Sequence, residues 1–460
     1  MRCAVRVLLS MLAAVQFLFH TQAADHTSAT PPGFPATWGE RDGKPVQAYY
    51  AFTTNAEVHA ALRALPSLYI QMSMDDLFGA ERGIYSHPLE TGSDWERPAS
   101  IELKSTEGHV AFKIDCGIRI QGGWNRRPEE SPKHAFRVVF KKKYGPGKLR
   151  ARLFDGAEPQ TFDELILRAG CNNTWLHWSG EERKRGDYIR DQWMRDTYRA
   201  MGHPSARGEF VHLYLNYYYW GLYNLTERPS ASFAAAHFGG RAEDYDARNA
   251  DNIISGDKEA WDKLFALANA GLKNPDNYKV TTNLLDGVAF ADFMLLNYYG
   301  ANADWDGSSN WYAARQRTPQ GRFHFFVWDG ERTLEDPNAN TLSADDDQSP
   351  TRLFHKLAAN EGFRKLFATR VDLHLKNALA PETAARRFRE LADRLRVPIV
   401  AEAARWGAYR HDAHQYKTGP YERYTRDTHW TPEINRILTT YFPNRNEALG
   451  AQLKTAGLLE

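Results

Sequence analysis

Two short clusters of oxygen-bearing side chains flank one hairpin-like stretch of the chain. The first is Ala303-Asp304-Trp305-Asp306-Gly307-Ser308-Ser309-Asn310 and the second is Val327-Trp328-Asp329-Gly330-Glu331. Between them Trp311 to Arg315 and Phe323 to Trp328 have the composition of strands, and Thr318-Pro319-Gln320-Gly321 supplies the turn. A two-stranded ribbon brings its beginning and its end to one place, so carboxylates and an amide converge there. Phosphoryl transfer needs such a set: one carboxylate to orient an attacking hydroxyl, and an amide with a second carboxylate to hold the magnesium that neutralises triphosphate oxygens. Asp329 follows the apolar run Phe325-Phe326-Val327, where a metal-binding Asp must sit to point into a cleft. Asp and Asn also cap turns, and each of these residues taken singly fits that plainer role. What points to chemistry is the two clusters together.

Upstream, Gly122-Gly123-Trp124-Asn125-Arg126-Arg127 lies between two strands and is followed by Pro132-Lys133-His134-Ala135-Phe136-Arg137. A glycine turn lets backbone approach phosphate, and a lysine early in the next strand can reach a phosphate as a point charge. Gly-Gly between strands is more commonly a hairpin turn. His109, His134, His177, His203 and His212 do not fall at metal-ligand spacings, and no Ser or Cys sits in a nucleophile elbow.

The elements that must position these groups divide the chain. From Ser67 to Phe154 strands prevail, with Leu68 to Ile70, Val110 to Ile120 and Phe136 to Phe140 as the clearest, read as an antiparallel sheet. Tyr188, Trp193, Met194 and Tyr198 recur at helical spacing within Arg183 to Met201, stopped by Gly202 and Pro204. Strands Phe210 to Leu215 and Trp220 to Thr226 come next. Beyond them the chain is expected to be mainly helical, at 231–237, 259–270, 287–299, 351–379 with a break near 360–362, 381–397 and 431–441, interrupted by the hairpin alone. A strand-rich half followed by a helical half is the layout of a bilobal α+β enzyme.

The stretch Ile118 to Gly123, then Pro132 to Phe140, Leu165 to Gly170, His212 to Asn216, Tyr219 to Pro229, Leu295 to Gly300, Asn310-Trp311-Tyr312 and Trp328-Asp329 together resemble the spore coat protein H (CotH) kinase family, in order across roughly residues 100–335. The resemblance implies a bilobal, atypical protein-kinase-like fold that binds ATP with Mg2+ and phosphorylates serine, or another hydroxyl, on an extracellular or coat protein. Carried over by position, it implies Lys133 at the phosphates, with Gly122, Gly123 and Arg126 in the phosphate loop, and Glu227 beside the adenine near the join of the lobes. Asp304 becomes the catalytic carboxylate, with Asp306 a close second, and Asn310 and Asp329 hold metal. Two departures stand out. Bulky Trp124 and then Asn125 come after the glycines, where family members usually carry small hydroxyl residues. Ordinary kinases place Asp five residues before Asn, whereas Asp304 stands six before Asn310 and Asp306 four.

The first two dozen residues read as a secretory leader, with Arg2 and Arg6, an apolar stretch from Val7 to Phe19 and small residues at Ala23 and Ala24. Expected organisation is therefore a signal peptide over 1–24, a Pro- and Thr-rich linker over 25–50, a strand-rich N-lobe over 51–228 and a helical C-lobe over 229–460. The destination is periplasmic or extracellular, with no membrane span after cleavage. The 58 basic and 57 acidic residues nearly cancel, so no global field recruits nucleic acid or a membrane surface. Cys116 and Cys171 leave room for one bridge in an oxidising compartment. A pseudokinase that keeps the fold as a binding or assembly module is the rival to a kinase. A glycosidase using Asp304 and Asp306 as its acid pair is a poor fit, since one residue separates them.

Overall fold

The computed structural model describes residues 30–156, 160–305 and 310–460. The leader over 1–24 and Asp306 lie outside the described residues. Strands dominate up to Thr226 and helices beyond it, in keeping with an α+β class.

A hairpin of β1 (Thr37–Arg41) and β2 (Lys44–Gln47) comes first. It falls inside the stretch expected to be a linker, yet Trp38 and Tyr50 are buried in a core shared with the large sheet of the first half. Then come β3 (Ser67–Gln71), β4 (Arg97–Lys104), β5 (Val110–Gln121), β6 (Ala135–Val139), the short pair β7 (Leu149–Arg150) and β8 (Thr161–Phe162), β9 (Glu164–Arg168), β10 (Gly208–Leu215) and β11 (Tyr218–Thr226). The expected antiparallel sheet is in fact closed on itself. Its order is β10-β11-β9-β6-β5-β4-β3, and β10 returns to pair with β3 in parallel, His212 opposite Ser67. Closure removes the unpaired edges that an open sheet exposes.

Strand β11 is buried at every position, because both of its faces are covered. Trp220, Tyr223 and Leu225 fill the barrel, Tyr219 packs under Phe52 and Ala401, and Leu222 joins the helical core. The helix Ile399–Trp406 lies against this strand from the far end of the sequence. Gly221 permits the approach. Its φ is +136°, and a Cβ there would come within 2.8 Å of Glu402 Oε2 and 2.9 Å of Lys133 Cε.

The second half is not helical apart from one hairpin. Strands β12 (Tyr245–Asn249), β13 (Asn252–Ser255), β14 (Trp311–Gln316) and β15 (His324–Val327) form a four-stranded antiparallel sheet in the order β13-β12-β14-β15. Charges at Asp246 and Arg248 hide β12 from a pattern based on apolar alternation. Both are buried with partners: Asp246 pairs with Arg315 and Arg317, and Arg248 lies 3.8 Å from the ring centre of Trp261. Helix Gly287–Gly300 is buried all round and forms the centre of the helical core. The single helix expected over Arg183 to Met201 is two, Gly180–Lys184 and Arg190–Ala200, parted where Tyr188 adopts a left-handed φ of +70°. Cys116 and Cys171 are both free thiols. Among the described residues no helix is long and apolar enough to cross a membrane.

Candidate active site

The ends of β9, β14 and β15, the turn after β5 and the loop after helix Gly287–Gly300 surround one cleft of about 940 Å3. That volume suits a ligand of nucleotide size. Helix Gly287–Gly300 stops at Ala301, in the left-handed conformation at φ +47°. The next residues are then held at both ends. The amide of Ala303 donates to the Arg332 carbonyl at 3.0 Å, and the amide of Asp304 to Asn302 Oδ1 at 3.3 Å. This fixes the Asp304 carboxylate at the cleft, where Asn172 Nδ2 donates to it at 3.3 Å. Asn310 donates from its side chain to the Asp304 carbonyl, tying the two ends of the loop together.

Across from them, β15 ends and Asp329 takes a left-handed φ of +55°, a strained conformation for a non-glycine residue. The amide of Gly330 donates to Asp191 Oδ1 at 3.0 Å. Arg168, the last residue of β9, is the hub of the site. Its Nε lies 3.2 Å from Asp191 Oδ2, its Nη2 lies 2.9 Å from Glu331 Oε1 and also bonds Asp329, and the guanidinium rests 4.6 Å from the ring centre of Trp328. Glu331 Oε2 accepts from the amides of Asn172 and Cys171.

The electrostatics follow from this crowding. Burial pushes the Glu331 carboxyl up to about 7, with Arg168 opposing and the charges of Asp329 and Asp191 adding to the rise. Loss of water raises Asp329 in the same way, again against Arg168. Burial works against the charge of Asp191 too, but Arg168 and Arg195 outweigh it and leave that carboxyl below its ordinary range.

Of the residues expected from the sequence, Asp304, Asn310, Asp329, Gly122 and Gly123 line this cleft. Arg126, Lys133 and Glu227 do not. Arg126 spends its guanidinium on the carbonyls of Ile120, Gly122, Pro88 and Glu90, fixing the shape of the glycine turn from behind. Lys133 is fully buried, with Nζ donating to Glu402 Oε1 at 2.7 Å and to the Leu222 carbonyl at 2.6 Å. Burial pushes its ammonium down, and Glu402 holds it against that. Glu227 pairs with Arg207 at 2.6 Å. Trp124 is 59 % exposed at the rim, stacked under Arg127 at 4.1 Å and facing Trp178. The site also contains Arg168, Glu331 and Asn172, to which sequence reasoning gave no role. Glu331 had a visible signal, since it stands two residues after Asp329 in the second acidic cluster.

The oxygen donors at the cleft, from Asp304, Asn310, Asp329 and Glu331, suit a hard divalent ion rather than zinc. As arranged, Arg168 holds two of them, and among the described residues no three carboxylates, histidines or cysteines form a ready metal set.

The chain is thus a mixed α/β protein with an acid- and amide-lined cleft at its strand ends. The sequence profile of the family described as CotH kinase protein matches residues 118–449, most of the chain, and the chain belongs to the CotH kinase family. The search of curated proteins returns no match.

Proposed function

We propose that this chain is an exported, ATP- and Mg2+-dependent kinase that phosphorylates a serine or threonine hydroxyl of an envelope or extracellular protein. The observation that carries the proposal is that Asp304, Asn310 and Asp329, of the types phosphoryl transfer requires, border a single cleft. Asp304 orients the acceptor hydroxyl and takes its proton as oxygen bonds to the terminal phosphorus and the bond from that phosphorus to ADP breaks. Asn310 and Asp329, with Glu331 beside them, hold Mg2+, which neutralises phosphate charge when bound. Gly122 and Gly123 offer backbone at the cleft wall. Export rests on the basic, apolar and small-residue order of the leader.

The rival is a pseudokinase acting as a binding or assembly module. It draws on Lys133, which spends its charge on Glu402 rather than at the cleft, and on Trp124 in the glycine turn.

Thermal unfolding of the mature chain with ATP, with Mg2+ and with both separates the two, because a ligand that binds only the folded state raises stability by mass action. At ligand about 100-fold above its Kd the gain is about 2.7 kcal/mol. A shift that needs both and is lost in Asp329→Asn, together with phosphate transfer to a serine-bearing protein, supports the kinase. A shift without transfer supports the module, and no shift at millimolar ATP sinks nucleotide binding altogether.

A further inference from the structure

Arg168 stands where a divalent ion's charge would have to go. One of its nitrogens, Nη2, is shared between Asp329 and Glu331, so each carboxylate receives part of one cation. The rest of the side chain is anchored elsewhere. Nε is held by Asp191, itself fixed by Arg195 at 3.0 Å and by the Gly330 amide, and the guanidinium lies on Trp328. Beside it lies a cavity of about 40 Å3, lined in part by Gly170, Asn172, Asp191, Asn224 and Glu331, into which the planar guanidinium can shift as a unit.

We propose that Arg168 is a positioning residue that serves as the internal counter-ion of the cleft. It keeps Asp329 and Glu331 from taking Mg2+ alone and releases them when an anionic phosphate arrives with the ion. The inference rests on the kinase assignment above for the identity of that phosphate, but not for the competition itself. A bare divalent ion must displace Nη2 of a guanidinium whose one remaining carboxylate, Asp191, is already shared with Arg195. An ion arriving with a polyphosphate brings the displaced Nη2 a new anionic partner, for which a planar guanidinium is well shaped. Mg2+ and ATP therefore each raise the affinity for the other, and the coupling is reciprocal.

The test is Mg2+ alone, titrated by thermal unfolding against NaCl of equal ionic strength, on the wild type, Arg168→Gln and Arg168→Lys. Arg332→Gln serves as a control, since Arg332 borders the same cleft but pairs with Glu182 and Glu335. In the wild type Mg2+ alone is expected to leave Tm unchanged. Arg168→Gln should unfold earlier in NaCl and be restored by Mg2+, with half-maximal effect at a concentration at least about tenfold lower than any seen in the wild type, within the usual range of coupling between sites. Arg168→Lys, which keeps the charge but loses the second nitrogen that anchors the side chain on Asp191, should fall between and covers the case in which the glutamine variant does not fold. If both folded variants respond to Mg2+ no better than the wild type or Arg332→Gln, the counter-ion role is overturned, even where the wild type binds ATP with Mg2+. If instead the wild type ignores ATP while the variants take Mg2+, the counter-ion role stands and the kinase assignment falls.

Discussion

Single residues in this chain divide by whether their charge is spent inside the fold or left at the cleft. Lys133 and Glu402 are fully buried against each other, and removing one member strands the other's charge at a typical cost of about 3–5 kcal/mol. Lys133→Met is expected to lose about that much in urea unfolding, and Lys133→Met with Glu402→Leu to recover most of it. If the double variant also keeps the stabilisation by ATP and Mg2+, Lys133 has no phosphate to hold. At the cleft the opposite is expected of Asp329→Asn, which should fold as well as the wild type while losing the joint effect of ATP and Mg2+. Sequence reasoning found the acids and amide because they cluster next to a legible hairpin. It misassigned the surroundings of Lys133, Arg126 and Glu227, because a basic or acidic residue beside a glycine turn or a strand end looks the same whether its partner is a phosphate or a side chain far along the chain. The partners here, Glu402, four backbone carbonyls and Arg207, carry no local signal.

At the level of elements, the turn between β5 and β6 is held by groups buried behind it. His134 Nδ1 lies 2.9 Å from the Asn125 carbonyl, and a carbonyl can only accept, so Nδ1 carries the proton. Burial pushes this histidine down to about 4, against the pull of that carbonyl. Between about pH 6.5 and 4 the unfolded chain thus takes up a proton that the folded chain refuses. The contribution is full above pH 6.5 and is lost as pH falls. His134→Phe should lower stability at neutral pH by about 1 kcal/mol, through the lost hydrogen bond. Its stability should also fall less steeply between pH 6.5 and 4, by up to about 1.4 kcal/mol per pH unit, in urea titrations at stepped pH. Gly221→Ala belongs to the same scale. The new methyl meets Glu402, Trp406 and Lys133 at a φ of +136°, so a loss of about 1–3 kcal/mol from crowding is expected in the same titration. Long elements were legible. Strands β5 and β10 and helices Glu259–Ala270 and Gly287–Gly300 appear where their apolar spacing puts them. Strands β12 and β13 were not, since the first carries buried charges and the second is short and largely exposed. Barrel closure was equally hidden, because the parallel pairing of β10 on β3 joins segments that no turn connects.

For the molecule as a whole, the carboxy-terminal segment belongs to the first half as much as to the second. Trp406 and Tyr409 sit in the barrel core, and Arg405 is buried among Tyr49, Tyr50, Tyr218, Trp220 and Trp406, 3.7 Å from the last ring. A chain ended after Arg396 loses these residues together with Glu402, and is expected to be cleaved by protease at many sites in the first half rather than to leave a resistant barrel. A stable amino-terminal fragment would show that the two halves fold apart. The bond between Lys133 and Glu402 spans 269 residues, and that distance has a meaning in time. Synthesis delivers the lysine long before the glutamate that neutralises it, so until residue 402 emerges the ammonium has no carboxylate to meet in the barrel wall. Contacts this distant in sequence form slowly even when the whole chain is present. The order of synthesis thus puts the closing of this ion pair after most of the chain has been made.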